Sequence, residues 1–354
     1  QKLKLITYKD GKENGLWIHW YGNGQKISEI IYKNGKLDGF YTIWGLDGQK
    51  KEEGIYNNDI KIENTIWKYY LNGKKERERS YKDGNKDGIW TEWNVDGQIM
   101  ETIYYKNGNL DGLHTYWYEN GKKHSEITYK NGKVDGLRTI WYENGKKYSE
   151  VTYKDDKPDG FYSLWRNDGL KEEIGNFIEG NYKSKTKWSY YKNNQNKSIE
   201  NYQYDKYNGL QKYWYNNGQK SIEGLFKLGK KDGRWIEWYK NGEKDVEMTY
   251  KNGNLDGLKT KWYDNGNKES KGSFKLGEKD GLRVKWYDNG NKESEITYKD
   301  GKKDGRWTVW YDNGQKSFEK SFNVGEKDGL WIEWTKKGKK KSKQKWKNGK
   351  KKWW

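Results

Sequence analysis

A 24-residue repeat constrains this chain more than any other feature. The segment Tyr129 to Tyr153 reads YKNGKVDGLRTIWYENGKKYSEVTY, and the preceding segment, from Tyr105, reads YKNGNLDGLHTYWYENGKKHSEIT. Eleven of the fourteen spacings between unit starts are 24 residues. Such self-similarity indicates a repeat architecture, in which each unit buries its apolar surface against its neighbours. Counted from the aromatic residue of the YKNG box, the units begin at Tyr8, Tyr32, Tyr56, Tyr81, Tyr105, Tyr129, Tyr153, Phe177, Tyr204, Phe226, Tyr250, Phe274, Tyr298 and Phe322, with a fragment from Trp346.

Two turn signals divide each unit. The Asn-Gly of YENGKK lies between runs rich in Trp, Tyr, Ile and Thr, which predicts a β-hairpin closed by a tight type I′ turn. The second signal, NGKxDG, predicts a wider turn that ends in Asp-Gly or Asn-Gly. Gly recurs too often for long helices. Each unit is therefore predicted to consist of two strands and two turns.

Alternation within the first strand of a unit supports this reading. In the strand LRTIWY, Leu137, Thr139 and Trp141 fall on one side and the alternate residues on the other. Consecutive hairpins joined by short turns make an antiparallel meander. We therefore predict an all-β fold, a repetitive antiparallel β-hairpin meander that forms one elongated, twisted and curved sheet.

The composition fits a sheet whose apolar surface is aromatic. Hydrophobic residues make up 31% of the chain, aromatic residues 17% and charged residues 35%. Low hydrophobicity with high charge is typical of disorder, but here the aromatic residues recur on a fixed period. We expect each Trp and Tyr to pack against the same residue of the next unit. The residues assigned to this structural ladder and its turns are Trp117, Tyr118, Gly121, Trp141, Tyr142, Gly145, Trp262, Tyr263, Gly266, Trp286, Tyr287, Gly290, Trp310, Tyr311 and Gly314.

Residues 1–354 read as one array of about fourteen units and a partial C-terminal unit. Two units, at residues 56–80 and 177–203, depart from the consensus: both lack the Asp-Gly, and the second also lacks the Asn-Gly. Drift tolerated in a long array is one interpretation, and a bend or a partner-specific patch is the other. On the second interpretation, the candidate binding residues are Trp67, Tyr69, Tyr70, Trp188, Tyr190 and Tyr191.

The end of the sequence, residues 335–354, is rich in lysine. It holds 11 Lys and no Asp or Glu, so the rest of the chain carries only +8 of the formal net charge of +19. Charge at an open sheet edge discourages pairing with other chains. Alternatively, this end docks on an acidic surface. The candidate residues are Lys339, Lys340, Lys341, Lys350, Lys351 and Lys352.

No motif predicts catalysis, a metal site or a cofactor. The chain has no Cys, which excludes disulfides and thiolate sites. Its three His residues (His19, His114 and His124) do not recur between units, which is typical of ordinary strand residues. A Glu three residues before most box aromatics predicts ion pairs with Lys or Arg on an adjacent strand. The Asp-Gly pairs lack the calcium-loop pattern, and neither a signal peptide nor an apolar run of membrane-spanning length is present.

The boxes YKNGKVDGLRTIWYENGKK at Tyr129, YKNGNLDGLKTKWYDNGNK at Tyr250 and YKDGKKDGRWTVWYDNGQK at Tyr298 resemble MORN repeats, in particular the bacterial MORN-variant family. The resemblance covers essentially the whole chain and implies one β-hairpin per repeat in an elongated sheet. Members are similar to bacterial antitoxin or immunity proteins and to exported surface proteins. MORN proteins elsewhere are scaffolds, some of them associated with membranes. Choline- and glucan-binding repeats are a weaker likeness, because their period is shorter.

We expect a non-enzymatic repeat scaffold that mediates protein–protein interaction, at a bacterial surface or as an immunity-type, antitoxin-like partner. Two alternatives remain open: an array that binds glycans or cell wall through rows of Trp and Tyr, and docking of anionic lipid or nucleic acid on the Lys-rich end. Self-association through sheet edges or incomplete end units is a further option. Because the chain begins at Gln1 rather than Met, we expect a processed or trimmed product. An exported or cell-surface location is favoured, and a cytoplasmic one if the protein is of the immunity type.

Overall fold

The computed structural model describes residues 3–353, which form strands and turns without a helix. The chain divides into two compact units: the N unit, which ends at Asn181, and the C unit, which starts at Tyr182. The strands of the N unit are β1 (Lys4–Leu5), β2 (Tyr8–Lys9), β3 (Lys12–Glu13), β4 (Gly15–Trp20), β5 (Lys26–Lys33), β6 (Lys36–Trp44), β7 (Lys50–Asn57), β8 (Ile60–Tyr69), β9 (Lys75–Lys82), β10 (Asn85–Lys86), β11 (Gly88–Trp93), β12 (Ile99–Lys106), β13 (Asn109–Trp117), β14 (Lys123–Lys130), β15 (Lys133–Trp141), β16 (Lys147–Lys154), β17 (Lys157–Trp165) and β18 (Lys171–Ile178). The strands of the C unit are β19 (Asn181–Tyr190, of which Asn181 belongs to the N unit), β20 (Asn196–Gln203), β21 (Lys206–Tyr207), β22 (Gly209–Trp214), β23 (Lys220–Lys227), β24 (Lys230–Trp238), β25 (Lys244–Lys251), β26 (Asn254–Trp262), β27 (Lys268–Lys275), β28 (Glu278–Trp286), β29 (Lys292–Lys299), β30 (Lys302–Trp310), β31 (Lys316–Asn323), β32 (Glu326–Lys327), β33 (Gly329–Trp334), β34 (Lys340–Lys347) and β35 (Lys350–Lys352).

Strands that follow one another in sequence pair antiparallel within each unit. In the N unit, for example, β13, β14, β15 and β16 pair in that order. In the C unit, β26, β27, β28 and β29 do the same. The predicted all-β class and the antiparallel hairpin meander are therefore confirmed.

The two turn types are the reverse of those predicted. Asn131 and Gly132 have φ values of 50° and 83° and form a two-residue loop between the paired residues Lys130 and Lys133. Positive φ at both central residues defines the type I′ turn, so that turn lies in the YKNG box. The prediction of a type I′ turn at YENGKK was wrong.

The YENGKK turn has a three-residue loop instead. The Tyr142 N–H donates to the Lys146 carbonyl at 2.8 Å, and the Gly145 N–H donates to the Tyr142 carbonyl at 2.8 Å. Gly145 has a φ of 88°, whereas Asn144 is not among the residues with positive φ. A type I turn followed by a left-handed Gly is the usual three-residue hairpin loop. The Asn-Gly pair therefore closes both kinds of turn, and its position in the loop differs.

The Asp-Gly pair is part of a bulge inside a strand and does not end a turn. Gly136 has a φ of 127° and lies within β15. Ile127 pairs with Arg138, but Tyr129 pairs with Val134, so β15 has extra residues at this point. Gly is suited to such a bulge because it adopts positive φ without a steric penalty.

The two degenerate units keep their hairpins. In the first, Asn64 takes the place of the bulge Gly, opposite Tyr81. At the end of the second, Tyr202 pairs with Tyr207, and the turn residues Tyr204 and Asp205 have φ values of 47° and 57°. The box aromatic of the next unit is therefore Tyr202 rather than Tyr204, and the second degenerate unit ends at residue 201. Both degenerate units then have 25 residues, and the irregular spacings around Tyr204 disappear.

Repeat positions are counted below from the box aromatic, so that Tyr129 is position 1. The pairing of Arg138 with Val151 and of Leu137 with Thr152 defines two faces. The box face carries positions 1, 10, 12, 21 and 23, and the opposite face carries positions 9, 11, 22 and 24. The predicted alternation holds as far as Ile140, where a bulge shifts the pairing.

Buried side chains form rows on both faces, and on the box face Ser28, Ser125, Ser149, Glu173 and Val246 at position 21 add to the row at position 10. On the box face the buried residues at position 10 are Tyr41, Trp90, His114, Tyr162, Gln211 and Trp235. On the opposite face the buried residues at position 11 are Ile18, Thr115, Thr139, Ile236, Thr260 and Thr308. The core is thus one side chain deep on each face, and each repeat depends on its neighbours for burial.

Candidate functional site

The predicted repeat residues hold successive repeats together along the edge formed by the three-residue turns. The Tyr142 hydroxyl donates to the Trp165 carbonyl of the next repeat at 2.9 Å. The Asn144 side-chain amide donates to the Asn167 carbonyl at 2.8 Å. The same hydroxyl bond joins Tyr118 to Trp141, Tyr263 to Trp286, Tyr287 to Trp310 and Tyr311 to Trp334. Gly121, Gly145, Gly266, Gly290 and Gly314 all have positive φ in their turns. We call this row of bonds the tyrosine ladder.

The Trp rings of the repeat are covered by lysine rather than by one another. Lys147 forms an ion pair with Glu150, and its ammonium lies 5.9 Å from the ring centre of Trp165. In the same way Lys244 lies over Trp262 and Lys292 over Trp310. The expectation of Trp on Trp in this row was wrong. The Glu residues were expected to pair across strands, and Glu247 does so with Arg234 and Glu319 with Arg306. Each Glu also pairs with the Lys three residues earlier on its own strand, which was not predicted. The pairs are Lys26–Glu29, Lys50–Glu53, Lys123–Glu126, Lys147–Glu150, Lys220–Glu223, Lys244–Glu247, Lys292–Glu295 and Lys316–Glu319.

Most ring-to-ring contacts lie on the box face. Phe322 contacts Trp331, with ring centres 5.5 Å apart, and Trp331 contacts Trp346 at 5.3 Å. These contacts alternate between position 1 and position 10. The aromatic packing therefore joins different positions of neighbouring repeats.

The aromatic residues of the first degenerate unit are half-buried in similar roles. The Tyr70 hydroxyl donates to the Trp93 carbonyl at 2.8 Å, as part of the tyrosine ladder. Lys51 lies over the ring of Tyr69, at 5.6 Å, and Lys75 lies over Trp67, at 5.9 Å. Trp67 lies opposite Glu78, in the row that most other repeats fill with Thr or Ile.

The second degenerate unit follows the same plan. The Tyr191 hydroxyl donates to the Trp214 carbonyl at 2.7 Å. Trp188 pairs with Ile199, and Tyr190 pairs with Asn196 beyond a bulge. Asn194 replaces the turn Gly with a φ of 63°, and its N–H donates to the Tyr191 carbonyl at 2.9 Å. The predicted residues Trp67, Tyr69 and Tyr70 thus lie in one hairpin. Trp188, Tyr190 and Tyr191 lie in another.

A surface cavity of about 450 Å³ lies beside the first degenerate unit. Thr65 and Ser80 stand at its floor, with their hydroxyl oxygens 3.2 Å apart. The corresponding pairs in the repeats before and after are Phe40–Ile55 and Ile89–Tyr104, so these two small side chains leave a hollow. Its lining includes Phe40, Ile55, Glu53, Glu63, Lys82 and Asp87.

A polar cluster on the box face lies on the other side of the same strands. Glu52 accepts hydrogen bonds from the Tyr41 hydroxyl at 2.6 Å, from Lys61 at 2.5 Å and from Asn64 at 2.9 Å. Burial alone would raise the pKa of Glu52, but the bonds from Lys61, Tyr41 and Asn64 outweigh it and lower that pKa. Burial, with the bond to Glu52, raises the pKa of Tyr41. Glu52 is therefore held as a carboxylate.

His114, in β13 of the N unit, is in contact with a carboxylate. His114 Nε2 is 2.8 Å from Glu101 Oε1, and this contact lowers the pKa of Glu101. His114 pairs with Ile127 across β13 and β14, and the ring of His124 instead contacts Tyr118, with ring centres 4.7 Å apart. No group of acidic and His side chains among residues 3–353 is arranged to hold a metal ion.

A row of exposed apolar side chains at position 9 of the opposite face was missed from the sequence. Phe40 is 69% exposed and Phe161 78% exposed. The signal that could have found the row is the apolar residue that follows Asp-Gly or Asn-Gly in most units. In the N unit this apolar row consists of Leu16, Phe40, Ile89, Leu113, Leu137 and Phe161. In the C unit, Leu258, Leu282 and Leu330 are its exposed members.

The Lys-rich end forms the last hairpin of the C unit. Strand β34 pairs with β35, and Lys345 lies opposite Lys352. The six predicted residues Lys339, Lys340, Lys341, Lys350, Lys351 and Lys352 are all exposed. Trp354, the last residue of the predicted segment, lies outside the described residues. No helix in residues 3–353 is long and apolar enough to cross a membrane.

Comparison with known proteins identifies the repeats. The family model described as "MORN repeat variant" matches residues 13–34, 86–107, 110–131, 134–155, 207–228, 231–252, 255–276, 279–300 and 303–323. No curated protein sequence matches the chain. The segment that begins at residue 207 is in phase with a box aromatic at Tyr202.

Solved structures similar to this chain include the crystal structures of TcdB2-TccC3-Cdc42 and TcdB2-TccC3 and the structure of the Photorhabdus luminescens Tc holotoxin pore. Each is 10% identical, with TM-scores of 0.20, 0.21 and 0.21. The matches cover 98%, 94% and 92% of this chain but 21%, 22% and 20% of those chains. The chain thus spans about a fifth of their length, and likeness at this level says nothing of a shared activity. The nine segments matched by the family model together cover more than half of the sequence, so the chain belongs to the MORN repeat variant family.

Proposed function

We propose that the protein is a non-enzymatic scaffold that binds a protein partner along the apolar row of its opposite face. One observation carries the proposal: six exposed Leu, Ile and Phe side chains recur at one repeat position in the N unit. Soluble proteins rarely expose contiguous apolar surface unless it serves an interaction. In either an immunity-type or a cell-surface setting, this row is the part that contacts the partner.

The repeat favours multivalent binding. Neighbouring row members lie two strands apart, about 10 Å at the usual strand spacing, except Phe40 and Ile89, between which the first degenerate unit has Thr65. A partner that contacts several of them gains affinity at each step because later contacts form within the same complex. Each row side chain then contributes modestly, and loss of several is needed to abolish binding.

The rows of Trp are less suited to glycan binding than their number suggests. Stacking of a sugar needs an open ring face, and Trp141, Trp165 and Trp262 each carry a Lys ammonium within 6 Å of the ring centre. The apolar row has no such cover in Phe40 and Phe161, which are its most exposed members. We therefore favour a protein partner.

The test removes the row without touching the tyrosine ladder. The triple variant Leu113→Ser, Leu137→Ser, Phe161→Ser is compared with Leu46→Ser, Leu71→Ser, Val95→Ser, which removes three exposed apolar residues from turns. Each variant and the wild type are immobilised, and the retained proteins are identified by mass spectrometry. We expect a partner retained by the wild type and by the turn variant but lost from the row variant. Equal retention by both variants would refute the role of the row.

A second candidate function rests on the Lys-rich end. The exposed lysines of β34 and β35 present a dense positive charge, which suits an acidic surface, anionic lipid or nucleic acid. Replacing Lys339, Lys340 and Lys341 by Ser separates the two candidates. Binding through this end should fall in the Lys variant and should weaken steeply with salt, whereas binding through the apolar row should depend little on either.

A further inference from the structure

A cluster of cations lies on the box face of the C unit around Gly272. Gly272 in β27 pairs with Lys259 in β26 on one side and with Arg283 in β28 on the other. All three residues therefore lie in one line across three strands and on the same face. Lys279, near the start of β28, lies opposite Phe274 and belongs to the same face.

These cations, and Lys303 of the next repeat, have no carboxylate partner in the described part of the chain. Within residues 3–353, Lys259, Lys279, Arg283 and Lys303 form no ion pair with Asp or Glu. The nearby acids are already engaged: Glu269 is 2.7 Å from Lys261, and Glu293 is 4.0 Å from Lys285. The cluster therefore holds several cations of neighbouring strands without a compensating acid in the described part of the chain.

The cations are close enough to repel one another. Burial lowers the pKa of Lys279, and the charges of Arg283 and Lys285 lower it further. Burial also lowers the pKa of Lys303, and Lys279 and Lys320 add to the effect. Like charges held together in this way are destabilising, and a bound anion removes that cost.

The glycine leaves the middle strand without a side chain between Lys259 and Arg283. An added Cβ at Gly272 would first meet the stem of Arg283, with its Cγ at 3.2 Å and its Cβ at 3.4 Å. At Gly224, the same position two repeats earlier, the ring of Trp235 fills that space, and an added Cβ would lie 1.9 Å from Cε3. Gly272 therefore lies beside a flexible cationic side chain, whereas Gly224 is covered by a rigid ring.

We propose that the Lys259–Gly272–Arg283 niche, with Lys279 at its rim, binds a phosphate group. The planar guanidinium of Arg283 donates two parallel hydrogen bonds to phosphate oxygens, and the two Lys ammonium groups supply point charges. Gly272 permits the anion to approach the sheet closely. This site is independent of the apolar row and of the Lys-rich end.

The experiment measures tripolyphosphate binding to the full chain by calorimetry, and thermal unfolding in sodium phosphate against sodium chloride at equal ionic strength. The cluster variant is Lys259→Gln with Arg283→Gln. The matched control, Lys227→Gln with Lys251→Gln, removes the same charge from two exposed lysines of the same unit. We expect at least about tenfold weaker binding in the cluster variant and less than about a twofold change in the control. Arg283→Lys, which keeps the charge, should give an intermediate affinity.

Equal weakening in the cluster and control variants would show binding by net charge alone and overturn the proposal. So would phosphate and chloride raising the melting temperature of the wild type equally. Two further probes identify the source of the phosphate, a single-stranded DNA homopolymer and phosphatidylcholine vesicles with phosphatidylserine. Loss of DNA binding in the cluster variant alone identifies a nucleic acid, and the same loss with vesicles identifies a lipid headgroup. If neither probe distinguishes the variants while tripolyphosphate does, the ligand is a small phosphorylated compound.

Discussion

The box face carries three carboxylates at position 21 in the N unit and none at that position in the C unit, although both units use the same repeat. Position 21 is Glu52, Glu101 and Glu173 in three N-unit repeats. In the C unit that position is apolar or Ser, and position 10 is Lys259 or Arg283 around Gly272. The fold tolerates either charge because strand pairing uses backbone groups and the tyrosine ladder lies at other repeat positions. The face can therefore diverge while the backbone stays the same.

The largest expected effect separates the two units at their glycines. Gly54→Ala places a Cβ 2.1 Å from the Glu63 carbonyl oxygen and 2.8 Å from Asn64 Cα, both backbone atoms that cannot move aside locally. Gly272→Ala instead first meets the flexible Arg283 stem, with its Cγ at 3.2 Å. We expect Gly54→Ala to cost about 3 kcal/mol in the free energy of unfolding and Gly272→Ala less than about 1 kcal/mol. Urea unfolding combined with hydrogen exchange of β7 and β8 measures both, and equal costs would contradict the comparison.

Glu52→Gln should be the next largest change. It removes the charge that accepts hydrogen bonds from Tyr41, Lys61 and Asn64 and leaves the Lys61 ammonium without its partner. Because hydrogen bonds to a charged group contribute about 1.5–3 kcal/mol, we expect a loss of about 2 kcal/mol. The control is Glu53→Gln, whose exposed pair with Lys50 should contribute less than about 1 kcal/mol. If the two variants lose the same stability, Glu52 is no more than a surface ion pair.

Acid should loosen the N unit around β7 and β8 through the same group. The pKa of Glu52 is lower in the folded protein than its ordinary value of 4.5, so its contribution is fully present above that value. The contribution is lost as pH falls through the lowered pKa, because the unfolded chain then binds the proton more readily. Hydrogen exchange followed from about pH 6 to about pH 3 should show faster opening of β7 and β8 in the wild type, with a weaker pH dependence in Glu52→Gln. The same slope in both proteins would assign the acid response to other groups.

The tyrosine ladder should respond equally in the two units. Tyr142→Phe and Tyr263→Phe each remove one hydroxyl that donates to a Trp carbonyl at 2.9 Å. We expect each variant to lose about 1 kcal/mol, as for a typical hydrogen bond. Urea unfolding of the two variants checks this. A clear difference between them would show that the ladder contributes unequally along the chain.

Lys279→Met should have the smallest effect and the opposite sign. It removes one of the mutually repelling cations while it keeps an apolar stem against Tyr298, over which Lys279 lies at 5.0 Å. Since the pKa of Lys279 is lowered in the folded protein, its charge opposes folding at pH values below that pKa. We expect a gain below about 1 kcal/mol near neutral pH, shrinking as pH rises towards the pKa of Lys. A loss of stability would show that the cation–ring contact outweighs the repulsion.

The period, the strands and the Lys–Glu and Tyr positions are readable from the sequence, because each recurs in most repeats. The turn types are not, because Asn131-Gly132 and Asn144-Gly145 have the same letters, and the number of residues between paired strand positions decides the turn. Tyr204 is misleading for a similar reason, since three tyrosines stand within six residues and only pairing selects Tyr202. The cation cluster depends on side chains from three strands that are distant in sequence, and no local pattern marks it.

The tyrosine ladder has a consequence for how such chains change length. Each hydroxyl reaches a carbonyl 23 residues ahead, for example from Tyr118 to Trp141. If residues 129–152 were excised, Tyr118 would meet Trp165 in place of Trp141, and no donor or acceptor would be stranded. Excision of half a repeat would remove one strand of a hairpin and break this match. Recombination between near-identical gene segments therefore yields foldable products only in whole-repeat steps, and family members should differ by multiples of about 24 residues.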